Sequence, residues 1–63
     1  MKRSELEKKL KALGWVPTGE FSGINHTQWA HPNRPGKLAV PIYDLVLDSS
    51  AESLLIQAEV RIR

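Results

Sequence analysis

Two segments with helical spacing lie at the two ends of the sequence, and the residues between them form short runs separated by turns. The first segment has its apolar residues on one helical face: Leu6, Leu10 and Leu13. Ser4 and Glu7 form a capping box, and Gly14 suits a left-handed cap at the C-terminal end. This pattern predicts a first helix at about residues 4–13.

The second helical segment lies near the C-terminus and has the same kind of start signal. Ser49 and Glu52 form another capping box. The apolar residues that follow recur at helical spacing: Leu54, Leu55 and Ala58. A second helix is therefore predicted at about residues 50–59. No glycine closes it, so the tail Val60–Arg63 either frays, continues the helix or pairs as a strand.

The middle of the chain predicts three strands and two turns. In chain order these are a strand at 15–21, a turn at 22–25, a strand at 26–31, a turn at 32–36 and a strand at 37–41. Pro17 cannot donate a ladder hydrogen bond, so the first strand is expected to be irregular or to lie at an edge of the sheet. The segment 42–47 is compatible with a strand or with an extended lead-in to the second helix.

The side chains of the second predicted strand alternate between the two faces of the sheet. Trp29 is the largest apolar group of this strand and is expected in the core, as are Trp15 and Phe21. His26 then falls on the opposite, exposed face. His31, at the end of the strand, is expected to cap or pack.

The resulting element order is α-β-β-β-α. It indicates an α+β, two-layer fold in which a three-stranded antiparallel sheet carries both helices on its apolar face. The double-stranded-RNA-binding domain has the same order, which predicts a fold and not a function. The 63 residues are expected to form one domain, 1–63. Because a chain this short buries only about 60% of its unfolded surface, a partner or self-association would add stability.

The composition excludes several classes of protein. The absence of cysteine excludes disulfides and thiolate metal sites, and no run approaches the roughly 20 apolar residues of a membrane span. The N-terminal segment lacks the apolar run of a signal peptide, so a cytoplasmic protein is expected. Residues 1–37 carry seven Lys/Arg and three acids, whereas residues 38–63 carry two and four. This basic first half suits a phosphate backbone as partner, or is an ordinary solvated surface.

Six short segments stand in a recognisable order along the chain. They are Met1–Leu6, Gly14-Trp15-Val16, Gly23-Ile24-Asn25-His26, His31-Pro32, Val40-Pro41 and Leu54-Leu55-Ile56-Gln57-Ala58. Together they resemble the HicA family of toxin–antitoxin ribonucleases. The resemblance implies a fold like that of the double-stranded-RNA-binding domain, an mRNA interferase activity and a HicB-type antitoxin that covers the active face.

The chain departs from that family pattern at four positions where glycine or a positively charged residue is common. These positions are Ile24, Ile42, Ile56 and Glu59. Each difference removes positive charge or flexibility, which favours the alternative of a related module that does not cleave RNA.

RNA carries its own nucleophile, the 2′-hydroxyl. An RNA-cleaving enzyme therefore needs a base for that proton and an acid for the leaving 5′-oxygen. Imidazole suits either role, and the resemblance places His26 as the catalytic general acid/base. His26 and His31 are expected to face opposite sides of one strand and so cannot readily chelate one ion. No metal or cofactor is expected.

Further residues are predicted to bind RNA: Asn25, Gly23, Arg34, Lys37, Lys8 and Lys9. The first two lie within the three residues before His26, and the next two flank the predicted hairpin beside its strand. The two lysines of the first helix either clamp phosphates or form a solvated face.

Three functions follow from these observations. The first is a toxin that cleaves mRNA through His26 and binds an antitoxin. The second is an RNA-binding module of the same fold without cleavage. The third is a protein-interaction module, homo-oligomers included, because the alternating tail 59–63 offers an unpaired edge.

Overall fold

The computed structural model describes residues 1–63 as two helices and three strands. In chain order they are α1 Arg3–Ala12, β1 Val16–Phe21, β2 His26–His31, β3 Arg34–Pro41 and α2 Asp48–Arg61. The strands form one antiparallel sheet in the order β1-β2-β3. The predicted α-β-β-β-α, α+β fold is confirmed. Neither helix combines the length and the apolar character needed to cross a membrane.

A single apolar core joins the sheet to both helices. Its buried residues are Leu6, Leu10, Trp15, Trp29, Leu38, Val40, Val46, Ala51, Leu54 and Ala58. Trp29 is only 2% exposed and pairs with Leu38 across the sheet, which confirms that it faces the core. Trp15 is fully buried, and its indole N–H donates to the Ala58 carbonyl at 3.3 Å. The buried indole therefore links the chain after α1 directly to α2.

The first strand is an irregular edge strand, as Pro17 predicted. Its pairing with β2 changes register between Pro17 and Phe21. The prediction that Phe21 packs in the core is wrong, because its side chain is 63% exposed. Phe21 lies beyond the register shift, opposite Thr27 at the end of the sheet, where the core no longer covers it.

The Ser4–Glu7 capping box is wrong, because α1 begins at Arg3 and Lys2 is its N-cap without a side-chain cap. A backbone partner replaces the capping side chain. The Arg3 N–H donates to the Asp44 carbonyl at 2.9 Å, and Lys2 forms a β-bridge with Leu45. The segment 42–47 is therefore not a strand; it bends at residues 43–44, leads into α2 and is held in place by the start of the chain.

The turn between β2 and β3 is shorter than the sequence predicted. It consists of Pro32 and Asn33 alone, because β3 already begins at Arg34. Pro35 is tolerated there because β3 is an edge strand. The pairing of β2 with β3 shifts register between Ala30 and His31, next to this shorter turn.

The second helix is longer than predicted at both ends, and the Ser49–Glu52 capping box is also wrong. Leu47 is the N-cap and provides no side-chain cap, and the helix continues to Arg61. The tail therefore extends the helix, one of the three alternatives. Guanidinium groups stabilise this end: Arg34 donates to the Ile62 carbonyl at 3.3 Å, and Arg61 donates to the Lys37 carbonyl at 2.7 Å.

His31 joins the end of α1 to the β2–β3 turn. Its Nδ1 accepts the Asn33 N–H at 3.1 Å, so Nε2 carries the proton and donates to the Leu13 carbonyl at 3.2 Å. The ring also meets Trp15 edge-on, with 5.5 Å between centroids. The prediction that His31 caps or packs is confirmed. Gly14 (φ +96°) keeps the space free, because a Cβ there would lie 2.6 Å from Nε2 of His31.

The His31→Ala variant should lose about 2 kcal/mol of unfolding free energy, because it leaves the Leu13 carbonyl and the Asn33 N–H without protein partners. Urea denaturation measures the loss.

The matched control is His26→Ala, which removes the same side chain from the other end of β2. The His26 ring makes no hydrogen bond, so the loss there should stay below about 1 kcal/mol. Equal losses in the two variants would contradict the linking role of His31.

Candidate functional site

His26 opens into a groove between β3 and α2, here called the His26 groove. Its lining residues are His26 from β2, Ala39 and Pro41 from β3, and Ser49, Ser50, Ser53, Leu54 and Gln57 from α2. The groove is open and encloses about 630 Å³. This volume lies within the roughly 300–1,000 Å³ of small-ligand sites, so the groove can accept part of a nucleic-acid chain.

The backbone of His26 is held on two sides. The residue pairs with Pro41 of β3, and its carbonyl accepts the Ser22 N–H at 2.8 Å. Because Trp29 faces the core, alternation places His26 on the opposite face of the strand, as predicted. The residue is partly buried rather than fully exposed, and β3 and α2 contribute the other residues of its groove. The ring makes no hydrogen bond within the protein, so both nitrogens remain available to a ligand.

The wall that α2 contributes is a polar stripe. Ser49, Ser53 and Gln57 follow one another at i, i+4 and i+8 and therefore share one helical face. Ser50 lies in the first turn, next to the stripe. Because Leu47 offers no side-chain cap, the N–H groups of Asp48, Ser49 and Ser50 have no protein partner. Hydroxyl and amide side chains therefore line the wall that α2 contributes, and the free backbone N–H groups lie at the start of the same helix.

No charged side chain lines the His26 groove. Just outside it, Asp48 begins α2 and receives a hydrogen bond from the ammonium group of Met1 at 2.7 Å. That hydrogen bond and the positive charge of the ammonium lower the pKa of Asp48 below its ordinary value. The carboxylate is therefore paired with a positive charge, and the groove keeps a neutral lining.

Gly23 and Asn25, two of the predicted RNA-binding residues, lie in the exposed turn that leads into His26. The Asn25 carbonyl accepts the Ile42 N–H at 3.1 Å, which fixes the turn against the end of β3. Gly23 has φ +83°, a conformation that favours glycine, and a Cβ there would meet open space. Both residues therefore lie next to His26, just before the start of β2.

The predicted cationic RNA contacts are not brought together with His26. Arg34 pairs with His31 at the far end of the hairpin, and Lys37 pairs with Ala30. Lys8 and Lys9 are exposed on α1. None of the four side chains lines the His26 groove. The structure also brings no three His, Cys, Asp or Glu side chains together as a metal site.

Sequence reasoning missed the polar stripe of α2. The signal was present, because Ser49, Ser53 and Gln57 recur at helical spacing. Ser49 also fits a capping box with Glu52, and Gln57 also belongs to a segment that resembles the family, and these two patterns hide the stripe. That the stripe faces His26 depends on how α2 packs across β3, which no local pattern contains.

The comparisons with known proteins point to one family. The family model for the HicA toxin of bacterial toxin–antitoxin systems matches residues 3–60. The chain belongs to the HicA toxin family. No curated protein and no solved structure matches it.

HicA membership defines the broad role of the protein. It is a toxin component of a toxin–antitoxin system, and such a system implies an antitoxin as partner. The match extends through β2 and nearly all of α2, the elements that form the His26 groove.

The Ser53→Leu variant should keep the fold and lose toxicity. Ser53 is exposed on a helix, where leucine is at least as favourable, but the new side chain would occupy the groove opposite His26. Growth of cells expressing the toxin without its antitoxin measures the effect, and full growth is expected.

Glu52→Leu is the matched control. Glu52 is the preceding exposed residue of the same helix and does not line the groove, so this variant should still arrest growth. Equal toxicity of the two variants would contradict the groove as the functional site of this HicA protein.

Proposed function

We propose that the toxin is an endoribonuclease that cleaves mRNA in the His26 groove, with His26 as general acid/base. The observation that carries this proposal is the free imidazole of His26 facing a wall of neutral hydrogen-bond donors on α2. Membership of the HicA family supports the same reading. The proposed reaction uses no metal ion or cofactor, because the RNA supplies the nucleophile and His26 moves the protons.

The proposed chemistry begins with the 2′-hydroxyl of the nucleotide bound beside His26. The neutral imidazole accepts the hydroxyl proton while the 2′-oxygen forms a bond to the adjacent phosphorus. The bond from phosphorus to the 5′-oxygen then breaks, and that oxygen takes a proton from the imidazolium or from water. The products are a 2′,3′-cyclic phosphate and a 5′-hydroxyl. One well-placed acid/base group accounts for about 10²–10⁴ of the rate enhancement.

Negative charge builds up on the phosphoryl oxygens during this reaction, and the groove offers only neutral donors to receive it. The hydroxyls of Ser49, Ser50 and Ser53 and the Gln57 amide line the wall. The free N–H groups at the start of α2 add the positive end of the helix dipole. Preorganised donors of this kind are each worth about 10²–10³ in rate in known enzymes. They are proposed to replace the cations that the sequence had suggested.

The remaining parts of the proposal concern what surrounds the groove. Gly23 and Asn25 are proposed to contact the nucleotide at the mouth of the groove, and Lys8 and Lys9 to attract the RNA electrostatically. A HicB-type antitoxin is proposed to cover this face. A cytoplasmic location, where mRNA is found, fits the same reading.

A second candidate is a module of the same fold that binds RNA or a protein without cleaving. The neutral groove favours it, as do two exposed isoleucines at positions where the family pattern has glycine or a basic residue. Ile24 is 87% exposed and Ile56 is 61% exposed. Ile24 places apolar surface where the family pattern has glycine, and Ile56 places it where the pattern has a basic residue that could bind phosphate.

Purified protein incubated with a long mRNA in EDTA should yield fragments that end in 2′,3′-cyclic phosphates. The His26→Ala variant should yield at least 100-fold fewer, because it removes the only titratable group of the groove. Gel electrophoresis with end-group analysis measures both. RNA with 2′-deoxy nucleotides is the control substrate and should stay intact.

Equal yields of fragments from both proteins would show that His26 is not the general acid/base. Intact RNA with both proteins, together with a gel shift at low salt, would support the second candidate instead.

A further inference from the structure

Four exposed cations meet where the hairpin end of β3 contacts the end of α2. They are Arg34, Lys37, Arg61 and Arg63, here called the basic patch. Arg34 donates through Nε and Nη2 to the Ile62 carbonyl, at 3.4 and 3.3 Å, and this carbonyl lies between the other two arginines in sequence. Arg61 donates through Nη1 to the Lys37 carbonyl at 2.7 Å. These contacts bring the charges of two distant chain segments together.

The charges of the basic patch have no acidic partner. The ion pairs of the structure join Met1 to Asp48 and Arg3 to Glu7 and Asp44, so none involves the patch. A guanidinium has five N–H groups, and the contacts above use two from Arg34 and one from Arg61. The side chains of Lys37 and Arg63 make no hydrogen bond at all, so several charged donors face solvent at one end of the molecule.

We propose that the basic patch is a second RNA-binding site that holds backbone phosphates outside the His26 groove. The inference rests on the proposed function, since it assigns the path of the same substrate. Lys37 lies four residues from Pro41, the partner of His26, which is about 13 Å along a strand. This distance equals about four stacked nucleotides at roughly 3.4 Å each. The proposal therefore predicts tighter binding of an RNA long enough to reach both sites.

Phosphate contacts position a nucleic acid without reading its sequence. The basic patch accordingly contributes affinity and register, and the groove contributes the chemistry. An acidic protein surface, such as that of an antitoxin, is the alternative occupant that the experiment separates.

The test uses the Lys37→Gln/Arg63→Gln double variant in a His26→Ala background, so that RNA is bound but not cut. Neither side chain makes a hydrogen bond, so the fold should be retained. Lys2→Gln/Lys11→Gln removes two positive charges from exposed positions of the N-terminal segment, outside groove and patch. Because the Lys11 ammonium lies 6.0 Å from the centre of the Trp29 ring, the stability of this control is compared with that of the parent. Thermal unfolding checks that both variants are folded. Fluorescence anisotropy measures binding of a labelled 20-nucleotide RNA and of a dinucleotide.

The patch variant should bind the long RNA at least tenfold more weakly. The slope of its log affinity against log salt concentration should be smaller in magnitude by about 1.4, because two phosphate contacts are lost. The dinucleotide should bind with unchanged affinity, and the lysine control should lose less than threefold on the long RNA.

Equal weakening of patch and control variants, or unchanged binding of the long RNA, would overturn the proposal that the basic patch binds RNA. Either result would leave the proposed function in place. Unchanged RNA affinity of the patch variant would leave an acidic protein surface as the occupant of the patch. A parent protein that binds no RNA of either length would overturn the patch and the proposed function together. A tenfold loss from the patch variant, in a protein that proves not to cleave, would support the patch and refute only the cleavage.

Discussion

The position of His26 depends on the burial of Trp29 in the core. The two residues are three apart in β2, so alternation of side chains places them on opposite faces. The indole is 2% exposed and faces Leu38 across the sheet, and this contact sets the pairing of β2 with β3. A slip of one residue would expose Trp29 and turn His26 into the core. The register of one strand pair therefore determines which side chain the groove receives.

The distribution of charge is the second constraint on function. The His26 groove has a neutral lining, whereas the cations lie on α1 and at the far end of the hairpin. Neutral hydroxyls and backbone N–H groups accept a phosphate without a large desolvation cost, and exposed cations attract one from a distance. Under the proposed function, the small fold thus separates the capture of RNA from the reaction on it.

Sequence reasoning predicted the element order, the buried tryptophans and the face of His26, because these follow from local periodicity and from the size of the indole. It misplaced the helix starts, because Arg3 takes its partner from residue 44, far along the chain. It placed Phe21 in the core, because nothing local reveals the register shift of β1.

The candidate site was predictable only in part, for the same reason. His26 followed from its motif and strand position, but its polar wall comes from α2, which is distant in sequence and packs across β3. Arg34 and Lys37 follow His26 closely in the sequence but lie near the turn of the β2–β3 hairpin. His26 lies at the other, open end of the same hairpin. Proximity in the sequence therefore gave the wrong neighbours for His26, because tertiary packing determines which residues surround it.

An NMR titration tests most directly whether the His26 groove receives RNA. The ¹⁵N-labelled protein would be titrated with an RNA whose 2′-hydroxyls are all methylated, because this ligand binds without being cleaved. The largest changes in amide chemical shift should fall on His26 and on residues 49–57 of α2. Changes confined to β1, with the amides of the groove unaffected, would contradict the account.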